Sequence, residues 1–181
     1  MLIGRKIRLR AKEKKDLEAL SDIFNDPKFS EFDMSFLAAF SKERMEKDFE
    51  KEIKENIKDT GSEHFVIVNE DGRVIGDIVY HKSNETQNIY MIGIGIGSSY
   101  WSCGYGQDAI TTLLRYLFLE RNAHKVELMV RDTNPRAVRC YEKCGFAREA
   151  LLREGEFSGG KAVNYHYMGI LKEEYLERGD S

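Results

Sequence analysis

The sequence predicts an α+β fold in which helices pack on one mixed, mostly antiparallel sheet. Three short apolar runs separated by turn residues lie between residues 64 and 96, a spacing typical of an antiparallel meander. Beyond residue 108 the apolar period changes to the helical one, and single strands alternate with helices. A chain of 181 residues is long enough to bury one core, so we expect residues 1–181 to form a single domain.

The first sixty residues predict one strand and two helices. Apolar residues alternate with basic ones over residues 3–9, as in a half-buried strand. A helical stripe predicts a helix over residues 13–25, with apolar positions at Leu17, Leu20, Ile23 and Phe24. After the aromatic, irregular segment 29–40, Ser41 precedes a long charged helix that Gly61 ends and whose apolar positions are Met45, Phe49, Ile53 and Ile57.

The remaining elements are strands and two helices. The meander has its strands over residues 64–68, 73–81 and 89–96. An amphipathic helix follows, with apolar residues at Ala109, Ile110, Leu113, Leu114, Leu117 and Phe118. A short helix over residues 135–144 has proline in its first turn and Gly145 just past its end. Three further strands complete the sheet, over residues 125–130, 146–153 and 162–171.

Composition and charge exclude several classes of protein. The 28 Lys and Arg residues are balanced by 31 Asp and Glu, so we expect no nucleic-acid partner. The longest uncharged run, residues 88–107, is broken by glycines and does not predict a membrane span. We find no secretory signal, and the three cysteines suit free thiols, so we expect a cytoplasmic protein. His124 and His166 have no ligand-like spacing, so we expect no metal site.

The most informative stretch is the glycine-rich loop that joins the third meander strand to the amphipathic helix. Gly104 and Gly106 permit backbone angles that other residues avoid and let a ligand approach the main chain. The helix that follows offers unpaired N–H groups and a partial positive charge. Together these features predict an anion site suited to a pyrophosphate. The two glycines by themselves are better explained by an ordinary strand-to-helix turn. The loop is neither a Walker loop nor a complete GxGxxG motif.

A second motif gives the loop its meaning. It runs Asn134-Pro-Arg-Ala-Val-Arg-Cys-Tyr-Glu-Lys-Cys-Gly-Phe146 and directly follows a predicted strand. With the loop Trp101-Ser-Cys-Gly104-Tyr-Gly106, it resembles the GNAT superfamily of N-acetyltransferases, whose members carry a Q/R-x-x-G-x-G/A loop and a later N-x-x-(S/A)-x-x-x-Y-E-K-x-G-F segment. A tryptophan in place of Gln or Arg resembles the loop of the branch that acetylates ribosomal-protein N-termini, and that of its spermidine-acetylating relatives.

The resemblance implies a fold and a donor. The fold has about seven strands, splayed at the fourth and fifth, with helices on both faces. The donor is acetyl-CoA, whose pantetheine arm would pair with the end of the glycine-laced strand at Gly95, Ile96 and Gly97. Glycines on this strand suit close approach of a ligand, although they also mark bulges. The pyrophosphate would be held by backbone N–H groups of Ser102, Cys103, Gly104, Tyr105, Gly106 and Gln107. Because this loop works through its backbone, we expect the Cys103 thiol to be inert.

Two side chains of the second motif are implied in catalysis. Asn134 would hydrogen-bond the pantetheine amides or a bridging water, although an asparagine before Pro135 also fits a helix N-cap. Tyr141 would lie near the acetyl sulfur and donate a proton to the departing thiolate, because a phenol is neutral at pH 7. A core aromatic contact is the alternative for Tyr141.

The general base is absent from its usual position. Many relatives carry a glutamate on the glycine-laced strand, two residues before its first glycine, and Met91 stands there. Either the acceptor amine binds neutral, or a base acts through water, with candidates Tyr80, His81, Tyr90 and Glu127. Met91 also leaves open a non-catalytic CoA-binding module.

The acceptor is a primary amine whose identity stays open. An α-amine is ~10–17% neutral at pH 7 and a lysine-like alkylamine only ~0.04%, which favours a peptide or protein N-terminus if there is no base. A polyamine or another small amine is the alternative, and the carboxylates of residues 31–33 and 154–156 are candidates to bind it. A homodimer is left open.

Overall fold

The computed structural model describes residues 1–32, 41–56, 62–84 and 86–179. Eight strands form one sheet in the order β1-β2-β3-β4-β5-β6-β8-β7. The strands are β1 Leu2–Ile3, β2 Ile7–Ala11, β3 Ser62–Asn69, β4 Val74–Asn84, β5 Ile89–Ile96, β6 Lys125–Arg131, β7 Ala147–Ser158 and β8 Lys161–Leu171. The helices are α1 Leu17–Phe24, α2 Pro27–Ser30, α3 Lys42–Asn56, α4 Tyr105–Arg115, α5 Pro135–Lys143 and α6 Lys172–Glu177.

The contacts divide the chain into two compact units. Unit 1 comprises Met1–His81 and Gly93–Thr112, and unit 2 comprises Lys82–Ile92 and Leu113–Ser181. Each unit is described separately below. The expectation of a single domain stays a prediction.

Unit 1 is built on an antiparallel ladder of the first strands. Strand β2 pairs with β1 on one side and with β3 on the other, and β3 pairs with β4. Ile7 and Leu9 of β2 are buried while Arg8 between them is exposed, the alternation of a half-buried strand. Two helices and β3 share one apolar cluster, formed by Leu20, Met45, Val66 and Val68.

A buried carboxylate fixes the entry to α1 in unit 1. The side chain of Asp16 is 3% exposed and accepts hydrogen bonds from Arg10 Nη1 at 2.6 Å and Nη2 at 2.8 Å. The backbone N–H of Glu13 donates to the same carboxylate at 2.8 Å. Burial by itself raises the pKa of Asp16, but the Arg10 and Glu13 hydrogen bonds outweigh it and hold the pKa below its usual value.

Unit 2 is organised around β6. This strand pairs in parallel with β5 over Ile89–Met91 and Lys125–Glu127, and antiparallel with β8 along its whole length. The parallel ladder ends after three residue pairs, as the expected splay between these strands requires. The unit's buried apolar residues include Val126, Leu128, Met168 and Ile170, and the rings of Phe118 and Tyr175 stack with centroids 4.8 Å apart.

An ion pair is buried in unit 2. The Arg131 guanidinium binds Glu156 in a bidentate arrangement, with Nε–Oε2 at 2.8 Å and Nη2–Oε1 at 2.5 Å. The two side chains are 6% and 5% exposed, and the Tyr165 hydroxyl also donates to Glu156. Burial and this hydrogen bond raise the pKa of Tyr165. The Glu156 carboxylate is therefore fully engaged by its own chain.

The edge strand β7 contains an irregularity. The register with β8 shifts between Leu152 and Glu156, and Glu154 within this bulge has a φ of +53°. The Glu154 N–H donates to Asn164 Oδ1 at 2.9 Å, and Asn164 Nδ2 donates to Asp132 at 2.7 Å. The bulge is therefore held by specific side-chain hydrogen bonds.

Most predicted elements are confirmed with shifts of one to several residues at their ends. The predicted strand over residues 89–96 coincides with β5, and the short helix begins at Pro135 as expected. The long helix after Ser41 is present, with Met45 and Phe49 buried. The side chain of Ile53 and the residues Ile57 and Gly61 lie outside the described part of the chain, as does segment 33–40 of the aromatic region.

Two element predictions were wrong, and two short helices, α2 and α6, were not predicted. The first strand is two strands, because Gly4 makes a tight turn in which its N–H donates to the Ile7 carbonyl at 2.9 Å. This division raises the strand number from about seven to eight. The polar turn expected from residue 83 starts later, because β4 continues to Asn84. Helix α6 was not predicted; its start is fixed by Glu174, which accepts from the Leu171 N–H at 2.8 Å.

Candidate active site

The glycine-rich loop of unit 1 has the backbone of an anion-binding turn. Ser102 and Gly104 both have positive φ, +63° and +86°, and α4 begins at Tyr105. The first intrahelical bond runs from the Asp108 N–H to the Gly104 carbonyl at 3.1 Å, so the N–H groups of the first turn have no intrahelical partner. A Cβ on Gly104 would have Lys6 Nζ, 3.7 Å away, as its nearest described atom, which leaves this surface open to a ligand.

The loop is anchored at its start and contains an exposed thiol. Trp101 Nε1 donates to the Ile96 carbonyl at 2.6 Å, which ties the loop to the end of β5. The Cys103 thiol is exposed and lies 3.4 Å from the Trp101 carbonyl. The Tyr105 hydroxyl donates to Glu70 at 3.2 Å; partial burial and then this carboxylate raise the pKa of Tyr105.

Gly95 of β5 and Gly97, the residue after β5, have a structural role that the sequence did not reveal. A Cβ on Gly95 would lie 2.9 Å from Phe29 Cζ and 3.0 Å from Asp77 Oδ1, and one on Gly97 would lie 3.1 Å from Ile23. The space that a side chain at Gly95 or Gly97 would need is therefore filled by neighbouring groups of unit 1. The Gly97 N–H donates to the Ile75 carbonyl at 2.9 Å, so it is not available to a pantetheine amide.

A contact between the loop and the first strands was missed by sequence reasoning. The Lys6 ammonium donates to the Cys103 carbonyl at 3.1 Å, and the Asp108 carboxylate accepts from the backbone of the β1–β2 turn. These residues are about one hundred positions apart in sequence. No short-range pattern signals such a contact.

Asn134 and Tyr141 lie on one helix of unit 2. Asn134 is the N-cap of α5 and accepts a hydrogen bond from the Ala137 N–H at 3.1 Å, so the capping interpretation holds. Tyr141 lies seven residues further along, two turns of helix, and therefore on the same face. Both residues are 8% exposed. The described part of the chain offers no hydrogen-bond partner to the Asn134 amide nitrogen or to the Tyr141 hydroxyl.

The environment of Tyr141 favours a neutral phenol. Its ring makes an edge contact with Phe146 at a centroid distance of 6.0 Å. Burial, and to a lesser extent the neighbouring Cys140 and Cys144 thiols, raise the pKa of Tyr141. The hydroxyl therefore remains protonated across neutral and mildly alkaline pH.

The four candidate bases have different surroundings. Tyr80 is buried in unit 1 and donates to Glu63 at 2.9 Å, while His81 is exposed. Tyr90 is buried in unit 2 and donates to Asn88 at 3.3 Å. As hydrogen-bond donors to fixed partners, the two phenols are poor proton acceptors.

Glu127 is the candidate with a distinctive position. It lies directly beside Met91 in the parallel register of β5 and β6, so the two side chains extend to the same side of the sheet. The carboxylate is buried and accepts from Ser83 Oγ at 2.8 Å. Burial and a hydrogen bond to Glu127 raise the pKa of Tyr167. Lys125 Nζ lies 3.8 Å from Glu127 and closer, 2.6 Å, to Glu149.

The carboxylates that were considered for a polyamine differ from expectation. Glu156 is paired with Arg131 and cannot serve an acceptor ammonium. Glu154 is exposed in the β7 bulge, Glu31 is exposed in unit 1, and Asp33 lies outside the described residues.

Two other features concern the described residues as a whole. Within the described ranges, no group of three or more His, Cys, Asp or Glu side chains is arranged to hold a metal ion. Among the helices of these same ranges, none is long and apolar enough to cross a membrane.

Comparison with known proteins identifies the family. Residues 6–147 match the family model described as an acetyltransferase (GNAT) domain, so the chain belongs to the GNAT acetyltransferases. Over 172 residues it is 29% identical to the spermidine N(1)-acetyltransferase of Vibrio cholerae, covering 95% of this chain and 96% of that protein. An uncharacterized N-acetyltransferase of Bacillus licheniformis, p20, is 23% identical over 175 residues, 96% of this chain and 97% of that protein.

A solved structure is similar over nearly the whole chain. The crystal structure of spermidine N-acetyltransferase from Vibrio cholerae in complex with CoA and spermine has a TM-score of 0.84 and 28% identity, covering 94% of this chain and 98% of that one. The predicted GNAT fold and acetyl-CoA donor are thereby confirmed. The protein is an acetyl-CoA-dependent N-acetyltransferase.

Proposed function

We propose that the protein transfers the acetyl group of acetyl-CoA to a primary amine of a polyamine, by direct attack in a ternary complex. The observation that carries the acceptor class is the similarity, over 95% of the chain, to a protein named spermidine N(1)-acetyltransferase. The backbone N–H groups of residues 102–107 bind the donor pyrophosphate, since the loop has an open surface at Gly104.

The chemistry divides between positioning and proton transfer. The amine attacks the thioester carbonyl, the carbon–sulfur bond breaks, and the CoA thiolate leaves. Holding the two reactants together supplies most of the rate. The Tyr141 hydroxyl donates a hydrogen bond to the thiolate, and its raised pKa favours this hydrogen bond over complete proton transfer. Asn134, whose Oδ1 is committed to the helix cap, has its amide N–H groups left to bind the pantetheine arm.

Glu127 is the proposed base. Its carboxylate lies one strand away from Met91, and a buried carboxylate attracts an alkylammonium and accepts its proton, directly or through water. With a base in place, the advantage of an intrinsically neutral α-amine disappears. The sequence favoured a peptide N-terminus because Met91 replaces the usual glutamate base. With Glu127 as the base, that argument no longer applies, which supports a polyamine as the acceptor.

A peptide or protein N-terminal amine is the second candidate. It is supported by Trp101 at the start of the loop, because a tryptophan at this position resembles the loop of the branch that acetylates ribosomal-protein N-termini. The two candidates differ in the acceptor amine pKa and in the charge on the rest of the acceptor.

An acceptor panel tests the proposal. Thiol release from acetyl-CoA is measured with spermidine, spermine, a dipeptide amide with a free α-amine, and the same dipeptide with its α-amine blocked. We expect the highest kcat/KM with a polyamine and no release without an amine. A higher kcat/KM with the free dipeptide than with either polyamine would transfer the acceptor assignment to N-terminal amines.

A further inference from the structure

The β1–β2 turn is held on the first turn of α4 by a single carboxylate in unit 1. Three consecutive backbone N–H groups, of Arg5, Lys6 and Ile7, donate to Asp108 at 3.0, 2.7 and 3.1 Å. Gly4 is required beside them, because a Cβ there would lie 2.6 Å from Asp108 Oδ2. The negative charge of Asp108 is thus committed to the backbone.

This arrangement places one ammonium group at the glycine-rich loop. Lys6 Nζ donates to the Cys103 carbonyl at 3.1 Å, lies 6.0 Å from the centroid of the Tyr105 ring, and is 3.7 Å from the position of a Cβ on Gly104. Among the described residues no carboxylate forms an ion pair with Lys6. Its positive charge therefore has no protein counterion in the described part of the chain.

We propose that Lys6 is a phosphate-binding residue of the donor site and that Asp108 is the residue that positions it. The inference rests on the proposed binding of acetyl-CoA at this loop. One N–H of the ammonium is used by the Cys103 carbonyl, which leaves two to donate to phosphate oxygens. A lysine suits this task as a compact point charge, and a charge-assisted hydrogen bond is about twice as strong as a neutral one.

The competing explanation is that Lys6 only braces the loop through its hydrogen bond to Cys103. A glutamine keeps a donor at this place but has no charge, whereas an arginine keeps the charge. Lys6→Gln and Lys6→Arg therefore separate the two roles. Lys15→Gln is a matched control, because Lys15 is exposed in unit 1 and pairs with Glu13.

The experiment measures the Kd of acetyl-CoA by calorimetry at low and high salt, together with the melting temperature of each free protein. We expect Lys6→Gln to raise Kd about five- to tenfold at low salt with an unchanged melting temperature. The difference should narrow at high salt, because an exposed ammonium is screened. Lys6→Arg and Lys15→Gln should stay within about twofold of the parent.

Two further arms identify the phosphate and test the positioning role. The Kd ratio between Lys6→Gln and the parent is then measured with acetyl-3′-dephospho-CoA, which lacks the 3′-phosphate. If the ratio is unchanged, Lys6 binds the pyrophosphate; if it falls to about one, Lys6 binds the 3′-phosphate. Asp108→Ala should weaken acetyl-CoA binding. If Asp108 acts only by positioning Lys6, the double variant Lys6→Gln/Asp108→Ala should bind no more weakly than the weaker of the two single variants. Unchanged Kd in Lys6→Gln overturns the inference, whereas failure of the parent protein to bind acetyl-CoA overturns the proposed function instead.

Discussion

The Tyr141 hydroxyl combines burial with the lack of a described protein partner. Because only the hydroxyl is removed and the ring packing on Phe146 stays, Tyr141→Phe should lower kcat about ten- to a hundredfold and change the acetyl-CoA KM less than about twofold. Steady-state kinetics with saturating amine measures both constants. Tyr175→Phe, at a similarly buried tyrosine that stacks on Phe118, is the control. An unchanged kcat would make Tyr141 a packing residue.

Glu127 makes a different prediction, because its role depends on pH. Glu127→Gln should lower kcat/KM for spermidine about tenfold or more at pH 7, and the deficit should shrink as pH rises toward the amine pKa of ~10, where no base is needed. Glu149→Gln is the control, since Glu149 is also near Lys125 but does not lie beside Met91.

Rescue distinguishes a base from a structural carboxylate. Introducing Met91→Glu into the Glu127→Gln variant places a carboxylate on the adjacent strand and should restore part of the rate at pH 7. Parallel pH profiles for the parent and Glu127→Gln would show that Glu127 does not accept the proton.

At the level of elements, the conformation of the loop before α4 requires a residue with positive φ at position 104. Gly104 has a φ of +86°, which valine avoids, and a branched side chain would also cover the open surface. Gly104→Val should abolish acetyl-CoA binding by calorimetry while the circular dichroism spectrum is kept. Gly159→Val is matched in strain, with a φ of +58° and no atom within 4 Å of the added Cβ, and should bind normally. Normal binding by Gly104→Val would remove the loop from the donor site.

The turn before α1 depends on the charge of Asp16. Replacing one partner leaves the Arg10 guanidinium without its carboxylate, so Asp16→Asn should lower the free energy of unfolding by about 2 kcal/mol near neutral pH. The folded-state pKa of Asp16 is lowered, so its contribution is present above the unfolded pKa of ~3.9 and is lost as pH falls through the folded value.

Urea unfolding at several pH values measures the Asp16 effect. Glu13→Gln, which removes an exposed carboxylate paired with Lys15, should change the unfolding free energy by less than about 0.5 kcal/mol. A constant difference between the parent and Asp16→Asn down to pH 2 would contradict the assignment of the effect to this carboxyl group.

The sequence predicted correctly those elements whose ends are set by residues close to them in the chain. Proline in the first turn, Asn134 as a cap and Gly145 after the last turn predicted α5 closely. The structure gives Gly145 a φ of +100°, a conformation that favours glycine. The first strand was predicted as one strand because the Gly4 turn that divides it is held by Asp108, a residue about one hundred positions away. The same kind of distance hid Lys6, whereas Asn134 and Tyr141 could be proposed because they stand in the motif through which the chain resembles the GNAT superfamily.

For the whole molecule, the expected single domain and the donor lead to one prediction. Scanning calorimetry should show one cooperative transition, and acetyl-CoA at a hundred times its Kd should add about 2.7 kcal/mol to the unfolding free energy and raise the midpoint by several degrees. Gly104→Val supplies the unliganded control. Two separate transitions, only one of them sensitive to acetyl-CoA, would show that the chain does not unfold as one domain.

The bulged strand β7 has a consequence for how the protein behaves at high concentration. It is twelve residues long, ends the sheet, and exposes Leu151, Leu152 and Phe157. A regular strand of this kind is a template on which other chains add and build fibrils. The bulge around Glu154 breaks that template in the middle and places charged residues there, Arg153 and Glu154. The hydrogen bond that Asn164 accepts from the Glu154 N–H therefore protects the chain against aggregation as well as fixing the shape of one hairpin.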